Sequence, residues 1–91
     1  MHLEIITPEK ILLRQEVDVV TLPGSTGEFQ ILDNHAPIVS TLSKGNIKLN
    51  KNVELDEKIK SHFKEVADKL TFHVDGGVVE CKGNKVIILV D

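Results

Sequence analysis

The sequence predicts a mainly β domain, in which short strands form an antiparallel β-sandwich or barrel. Three observations carry this prediction. Aliphatic and β-branched residues dominate the apolar set, and such residues favour strands. Apolar and polar residues alternate in short runs, which is the pattern of a strand with one buried face. Turn-forming residues interrupt these runs at short intervals, which is typical of sandwiches and barrels.

The strand-like runs lie at residues 3–7, 10–14, 16–22, 28–31, 37–42, 47–50, 70–74, 78–82 and 85–90. Pro8, Pro23-Gly24, Asp33-Asn34 and Gly76-Gly77 separate several of them. The last two runs form the clearest hairpin, because only Gly83-Asn84 lies between them. Both positions of such a two-residue turn often need a positive φ, which Gly and Asn adopt readily.

Residues 51–69 break this rhythm. Ten of these 19 residues are charged, five of each sign, and the segment contains no Gly or Pro. Five apolar residues in and directly after this segment recur at steps of four, four, three and four, as on one face of an amphipathic helix: Leu55, Ile59, Phe63, Val66 and Leu70. We therefore predict one inserted amphipathic helix near residues 56–69, capped by Asp56 and packed on an edge of the sandwich.

Length and composition exclude several classes of protein. Ninety-one residues predict a single small domain, residues 1–91, with a thin core. The net charge of −3 and three scattered phenylalanines predict no nucleic-acid binding. A single cysteine argues against a disulfide-stabilised secreted domain. The longest apolar run, 86–90, is far shorter than the ~20 residues of a membrane span, and the N-terminus does not resemble a signal peptide.

No constellation of residues predicts catalysis or metal binding. The histidines and Cys81 lack the spacings of zinc sites, and no serine lies in a Gly-x-Ser-x-Gly elbow. Glu28 and Asp33 would lie on opposite faces of a strand, roughly 17 Å apart, which is unsuited to a catalytic carboxylate pair. The loop 24–27 lacks the following Lys and helix of a phosphate-binding P-loop. We therefore expect neither an enzyme nor a bound cofactor or metal.

The loop at residues 34–37 is the polar feature that best suits a contact. His35 lies two residues before Pro37, which restricts the loop. A polar ring on a restrained loop suits an interface with a partner, and it equally suits a structural hydrogen bond. The residues alone leave both roles open.

Several segments, taken together in order and spacing, resemble the epsilon subunit of F-type ATP synthases. They are the opening run at 3–9, the blocks at 19–24 and 27–32, His-Ala-Pro at 35–37, Gly-Gly-Val-Val-Glu at 76–80 and the closing run at 84–90. Leu42 and Gly45 also match the family pattern. The resemblance covers residues 1–50 and 70–91.

The resemblance implies a flattened β-sandwich at the foot of the central stalk, which joins the gamma subunit to the c-ring as part of the rotor. Glu28 and Ile31 match positions at the c-ring interface, and His35 matches a position that approaches gamma. The implied role is non-catalytic: it couples proton flow to ATP synthesis through fixed contacts. The implied location is peripheral, on the cytoplasmic face of the inner (plasma) membrane, with membrane contact only through the complex.

Two departures from the family accompany this resemblance. The C-terminal pair of helices that family members usually carry has no counterpart in residues 1–91, and residues 51–69 replace a shorter connection. The alternative interpretation is a free-standing β-sandwich that binds a small ligand or a peptide. That alternative would require a concave, aromatic-lined pocket, for which Phe29, Phe63 and Phe72 are the available aromatic residues.

Overall fold

The computed structural model describes residues 1–50 and 52–91, which form ten short strands and one short helix. The mainly β prediction is confirmed. In chain order, the elements are β1 (His2–Ile6), β2 (Ile11–Glu16), β3 (Val19–Gly24), β4 (Gly27–Leu32), β5 (Ile38–Leu42), β6 (Gly45–Asn50), α1 (Glu57–Lys60), β7 (Lys64–Val66), β8 (Lys69–Val74), β9 (Gly77–Lys82) and β10 (Lys85–Val90).

The strands form one curled sheet with two halves. Nine strands follow the order β2-β1-β10-β9-β5-β3-β6-β8-β7, and β4 pairs with β3. The two halves join where Gly24 of β3 pairs with Leu42 of β5. Fully buried side chains from both halves belong to one core. They include Leu3, Ile5, Val79, Val86 and Ile88 from one half and Val20, Leu22, Ile31, Ile47 and Leu49 from the other. The halves therefore pack as the two layers of a sandwich.

One strand pair departs from the antiparallel prediction. Strand β1 runs parallel to β10, with Leu3 opposite Val86, whereas the other pairs of the described residues are antiparallel. A parallel pair needs a long crossover connection, and here almost the whole chain lies between the two strands. Local sequence patterns contain no signal for such a distant pairing.

The final hairpin agrees with its prediction. Lys82 pairs with Lys85 across the two-residue turn, and the turn residues Gly83 and Asn84 have φ of 59° and 58°. Two positive φ values are the requirement of the type I′ turn, whose twist matches that of the strands. The residues of the turn therefore predict the register in which β9 pairs with β10.

The prediction of a helix near residues 56–69 is wrong over most of its length. Helix α1 covers only Glu57–Lys60, and Lys64–Val66 forms strand β7 on the edge of β8. The start was predicted correctly, since the Asp56 side chain accepts a hydrogen bond from the Lys58 amide at 3.2 Å. The helix cannot continue to residue 69, because Ala67 has φ of 54° in the turn between β7 and β8.

Packing explains why the apolar spacing misled the prediction. Phe63 is buried, and its ring centroid lies 5.4 Å from that of Phe72. Leu55 and Ile59 are partly buried against the core, whereas Val66 is 56% exposed. A strand at 64–66 gives the edge of β8 a backbone partner, and the Thr71 hydroxyl adds a hydrogen bond to the Lys64 carbonyl at 3.0 Å. Isolated short helices are marginal, so tertiary pairing decided this segment.

Candidate functional site

Glu28 lies near the tip of the β3–β4 hairpin. Gly24 and Gly27 pair across the turn, and Glu28 follows opposite Pro23. The Glu28 side chain is 55% exposed, and its Oε2 accepts a hydrogen bond from Lys48 Nζ at 2.9 Å. The carboxylate is thus oriented by a cation on β6 while part of its surface stays open to solvent. This geometry suits an electrostatic contact with a second protein.

Ile31 does not share that exposure. It is fully buried, because Phe29 and Ile31 face the core where β4 pairs with Leu22 and Val20. The burial contradicts the expectation that Ile31 contacts a partner. The outer face of β4 carries Glu28, Gln30 and Leu32, and Leu32 is 53% exposed. The alternation of side chains along a strand predicts which residues share a face with Glu28. Leu32 lies four positions after Glu28 and therefore shares its face, whereas Ile31 lies three positions after it and faces the other way.

His35 lies in the short loop between β4 and β5. It is half-buried, and its Nδ1 lies 2.7 Å from the Ala36 carbonyl oxygen, so the tautomer protonated at Nδ1 donates to that oxygen. The His35 amide donates to the Leu32 carbonyl at 3.2 Å. The structural hydrogen bond that the sequence left open is therefore present. It orients the ring without occupying Nε2, so a contact role is compatible with it.

Two distant groups hold this loop in place. The Asn34 amide donates to Asn84 Oδ1 at 2.8 Å, which ties the loop to the turn between β9 and β10. The α-amine of Met1 donates to Asp33 Oδ1 and, at 2.9 Å, to the Val17 carbonyl. The hydrogen bond to Asp33 is the main cause that raises the pKa of this amine. The loop that carries His35 is thus anchored at its start from two sides.

Glu28 and His35 lie at opposite ends of β4. Four residue steps separate Glu28 from the end of the strand at Leu32, which is about 13 Å at 3.3 Å per residue. The loop with His35 follows that end directly. The two predicted contact residues therefore lie at separate places on the surface of the domain.

A third surface was missed by the sequence reasoning. Four apolar side chains among the outward residues of β5, β9 and β10 lie close together and form an apolar face, which we define as Val39, Val78, Ile87 and Leu89. Val39 is 70% exposed, Leu89 51% and Val78 39%, and Ile87 is half-buried. These residues and Glu80 line a small depression of about 240 Å³. Alternation along each strand predicts that these residues point outward. Only the pairing of the three strands brings them together on one face.

The other chemically notable groups serve structure. Cys81 is buried among core residues, and burial raises the pKa of its thiol. Among residues 1–50 and 52–91, no three His, Cys, Asp or Glu side chains cluster so that they could hold a metal ion. The described part of the chain also contains no helix with the length and apolar character needed to cross a membrane. Phe63 and Phe72 pack on each other, so these rings serve the core.

Comparison with known proteins identifies the family of this domain. The sequence model described as ATP synthase, Delta/Epsilon chain, beta-sandwich domain, matches residues 1–91. The chain is 42% identical over 91 residues to the ATP synthase epsilon chain of Leptospira borgpetersenii serovar Hardjo-bovis, covering 100% of this chain and 61% of that relative. It is 33% identical over 89 residues to the ATP synthase epsilon chain of Chlorobaculum tepidum, covering 98% of this chain and 86% of the relative.

A solved structure has the same fold. A chain of the cryo-EM structure of the Tetrahymena thermophila mitochondrial ATP synthase central stalk and c-ring matches with a TM-score of 0.73 at 22% identity, covering 99% of this chain and 62% of that chain. Our chain spans about three fifths of the length of the Leptospira relative. Because the family match extends over all 91 residues, the chain belongs to the ATP synthase delta/epsilon family, whose beta-sandwich domain it forms.

Proposed function

We propose that this chain is a non-catalytic subunit of the ATP synthase rotor, in which it joins the gamma subunit to the c-ring. The observation that carries the proposal is the match of residues 1–91 to the beta-sandwich domain of the delta/epsilon family. On this proposal, the subunit makes the central stalk one rigid body, so that rotation driven by proton flow reaches the catalytic head. Such a role requires fixed contacts and no reactive group.

The c-ring contact is assigned to the surface around Glu28. The carboxylate extends from a hairpin tip, and Lys48 holds it at 2.9 Å without covering it. Polar loops of a membrane ring suit a charged, solvated surface of this kind, because neither side must bury an unpaired charge. Leu32, which shares the outer face of β4, replaces the buried Ile31 as the apolar residue of this surface.

The gamma contact is assigned to His35 and the adjoining apolar face. The loop with His35 leads directly into β5, which carries Val39 of that face. Apolar residues clustered on an exposed sheet face are typical of the centre of a protein interface, and a polar ring beside them is typical of its rim. The anchors at Asn34 and Asp33 hold the loop in position before the partner binds.

On this proposal, the protein lies peripherally on the cytoplasmic face of the inner (plasma) membrane. It reaches the membrane through the complex, since its contacts are with gamma and the c-ring. The coupling role depends on both contacts at once: loss of either would leave the domain folded and the rotor disconnected at that joint.

The proposal is tested by recovering the full-length protein, with a C-terminal affinity tag, from its native membranes in mild detergent. We expect gamma and c subunits to co-purify in constant ratio, as quantified by mass spectrometry. The same purification from cells with an untagged copy is the control. Recovery of the tagged protein free of both subunits, or with an unrelated partner in their place, would contradict the proposal.

A further inference from the structure

A carboxylate lies in the middle of the apolar face. Glu80 of β9 pairs with Val39 of β5 on one side and with Ile87 of β10 on the other. Val78 lies two residues before it on the same outer face, and Leu89 is opposite Val78. Glu80 is exposed, and it lines the small depression together with all four apolar residues. Its charge is therefore central to the surface.

The side chain of Glu80 has no ion pair or hydrogen bond within residues 1–50 and 52–91. Glu4, on the same side of the same sheet half, makes an instructive contrast. Its Oε2 lies 2.8 Å from His2 Nε2 and within 4 Å of Arg14 and Lys85. These partners, and His2 above all, lower the pKa of Glu4. The Glu4 carboxylate is thus paired with basic groups of the same sheet, whereas the Glu80 carboxylate has no such partner among the described residues.

An apolar partner surface that covers this face would also cover Glu80. Removing an unpaired carboxylate from water is unfavourable, and the cost is offset only if the partner supplies a cation or strong hydrogen-bond donors. Water stabilises the Glu80 charge in the free domain, so the free-energy cost of removing that water arises only when a partner docks. A partner with a cation at the matching position would be selected over an equally apolar partner without one.

We propose that Glu80 receives a Lys or Arg side chain of the protein that docks on the apolar face. The inference rests on the proposed function, in which that protein is the gamma subunit. It adds to that function the chemistry of the surface that the partner presents: an apolar patch with one cation near its centre. Glu80 then acts as a specificity-determining residue, and the four apolar residues supply most of the buried area.

The shape of the surface favours a protein partner over a small ligand. The depression around Glu80 continues into a second one of about 220 Å³, and Val39 and Glu80 line both. The second depression also contains Pro37 and Ile38, which connect it to the loop of His35. Each depression is smaller than the roughly 300–1,000 Å³ of typical small-molecule sites, so a protein surface that spans both is the better occupant.

The test measures binding of the full-length protein to the purified gamma subunit of the same synthase by calorimetry at several salt concentrations. We expect Glu80→Gln to weaken binding roughly 30-fold or more, since it leaves the partner's cation buried and unpaired. The salt dependence of the affinity should decrease in this variant, which a purely structural role would not produce. Asp68→Asn, the same loss of charge in the turn between β7 and β8, is the matched control and should bind normally.

A second variant separates the inference from the proposed function. Leu89→Asp should abolish binding by placing a charge in the apolar face. If Glu80→Gln binds like the wild type while Leu89→Asp does not, the pairing with a cation is refuted and the docking face stands. If both variants bind normally, gamma docks elsewhere. If the wild-type protein does not bind gamma, or if the face instead mediates self-association in sedimentation experiments, the proposed partner is wrong.

Discussion

Replacing Phe63 with Ala probes the segment that departs most from its sequence prediction. Phe63 is 9% exposed, and its ring packs on Phe72 at a centroid distance of 5.4 Å. Removing a buried Phe side chain typically costs 3–5 kcal/mol, because the lost apolar contact is joined by a residual cavity. The segment around Phe63 lies at the edge of the sandwich and can partly relax, so we expect the free energy of unfolding to fall by about 3 kcal/mol.

The measurement is urea unfolding of the purified protein, supported by a thermal melt. A loss of about 3 kcal/mol corresponds to a fall in Tm of roughly 12–24 °C for a domain of this size. Val66→Ala is the matched control, since Val66 is 56% exposed in β7 and should change stability by less than ~0.5 kcal/mol. A helix through residue 69 would bury both side chains on one face. Equal losses for the two variants would therefore refute the strand and favour the helix.

Three further predictions address charge, backbone and pH. Glu28→Lys should change the free energy of unfolding by no more than ~0.5 kcal/mol but weaken assembly with the c-ring, as measured by reconstitution and proton pumping; an early melt or normal coupling would contradict this. Gly77→Ala should lower stability by about 1–3 kcal/mol in urea unfolding, because a Cβ at this positive φ would lie 2.3 Å from the Leu89 carbonyl oxygen. The raised pKa of the Met1 α-amine predicts stability that is fully present below its ordinary value of 8.0 and is lost as pH rises through the folded value. Asp33→Asn should flatten that pH dependence, and an unchanged slope would show that the amine is not responsible.

The sequence was sufficient wherever a structural choice depends on neighbouring residues. Gly83-Asn84 specified a turn with two positive φ values, and the hairpin of β9 and β10 formed in the register that this turn requires. Asp56 specified the start of a helix, and its side chain caps α1. Alternation along each strand separates inward from outward residues, and Ile31, which the family resemblance assigns to an interface, lies on the inward face of β4.

Tertiary structure decided what depends on distant residues. The spacing of Ile59, Phe63 and Val66 fits a helix, but the free edge of β8 was available for pairing, and Lys64–Val66 became a strand. The parallel pairing of β1 with β10 joins the two ends of the chain, beyond the reach of any local pattern.

The candidate binding surfaces follow the same division. The family resemblance proposed Glu28 and His35 as contact residues, and each lies in a short hairpin or loop formed by neighbouring residues. The apolar face with Glu80 at its centre could not be found in this way, because its residues come from β5, β9 and β10 and alternate with core residues on each strand. A single outward valine on a strand has no special meaning. It becomes part of a surface only when hydrogen bonding between strands sets such residues side by side, and that pairing is a property of the folded sheet.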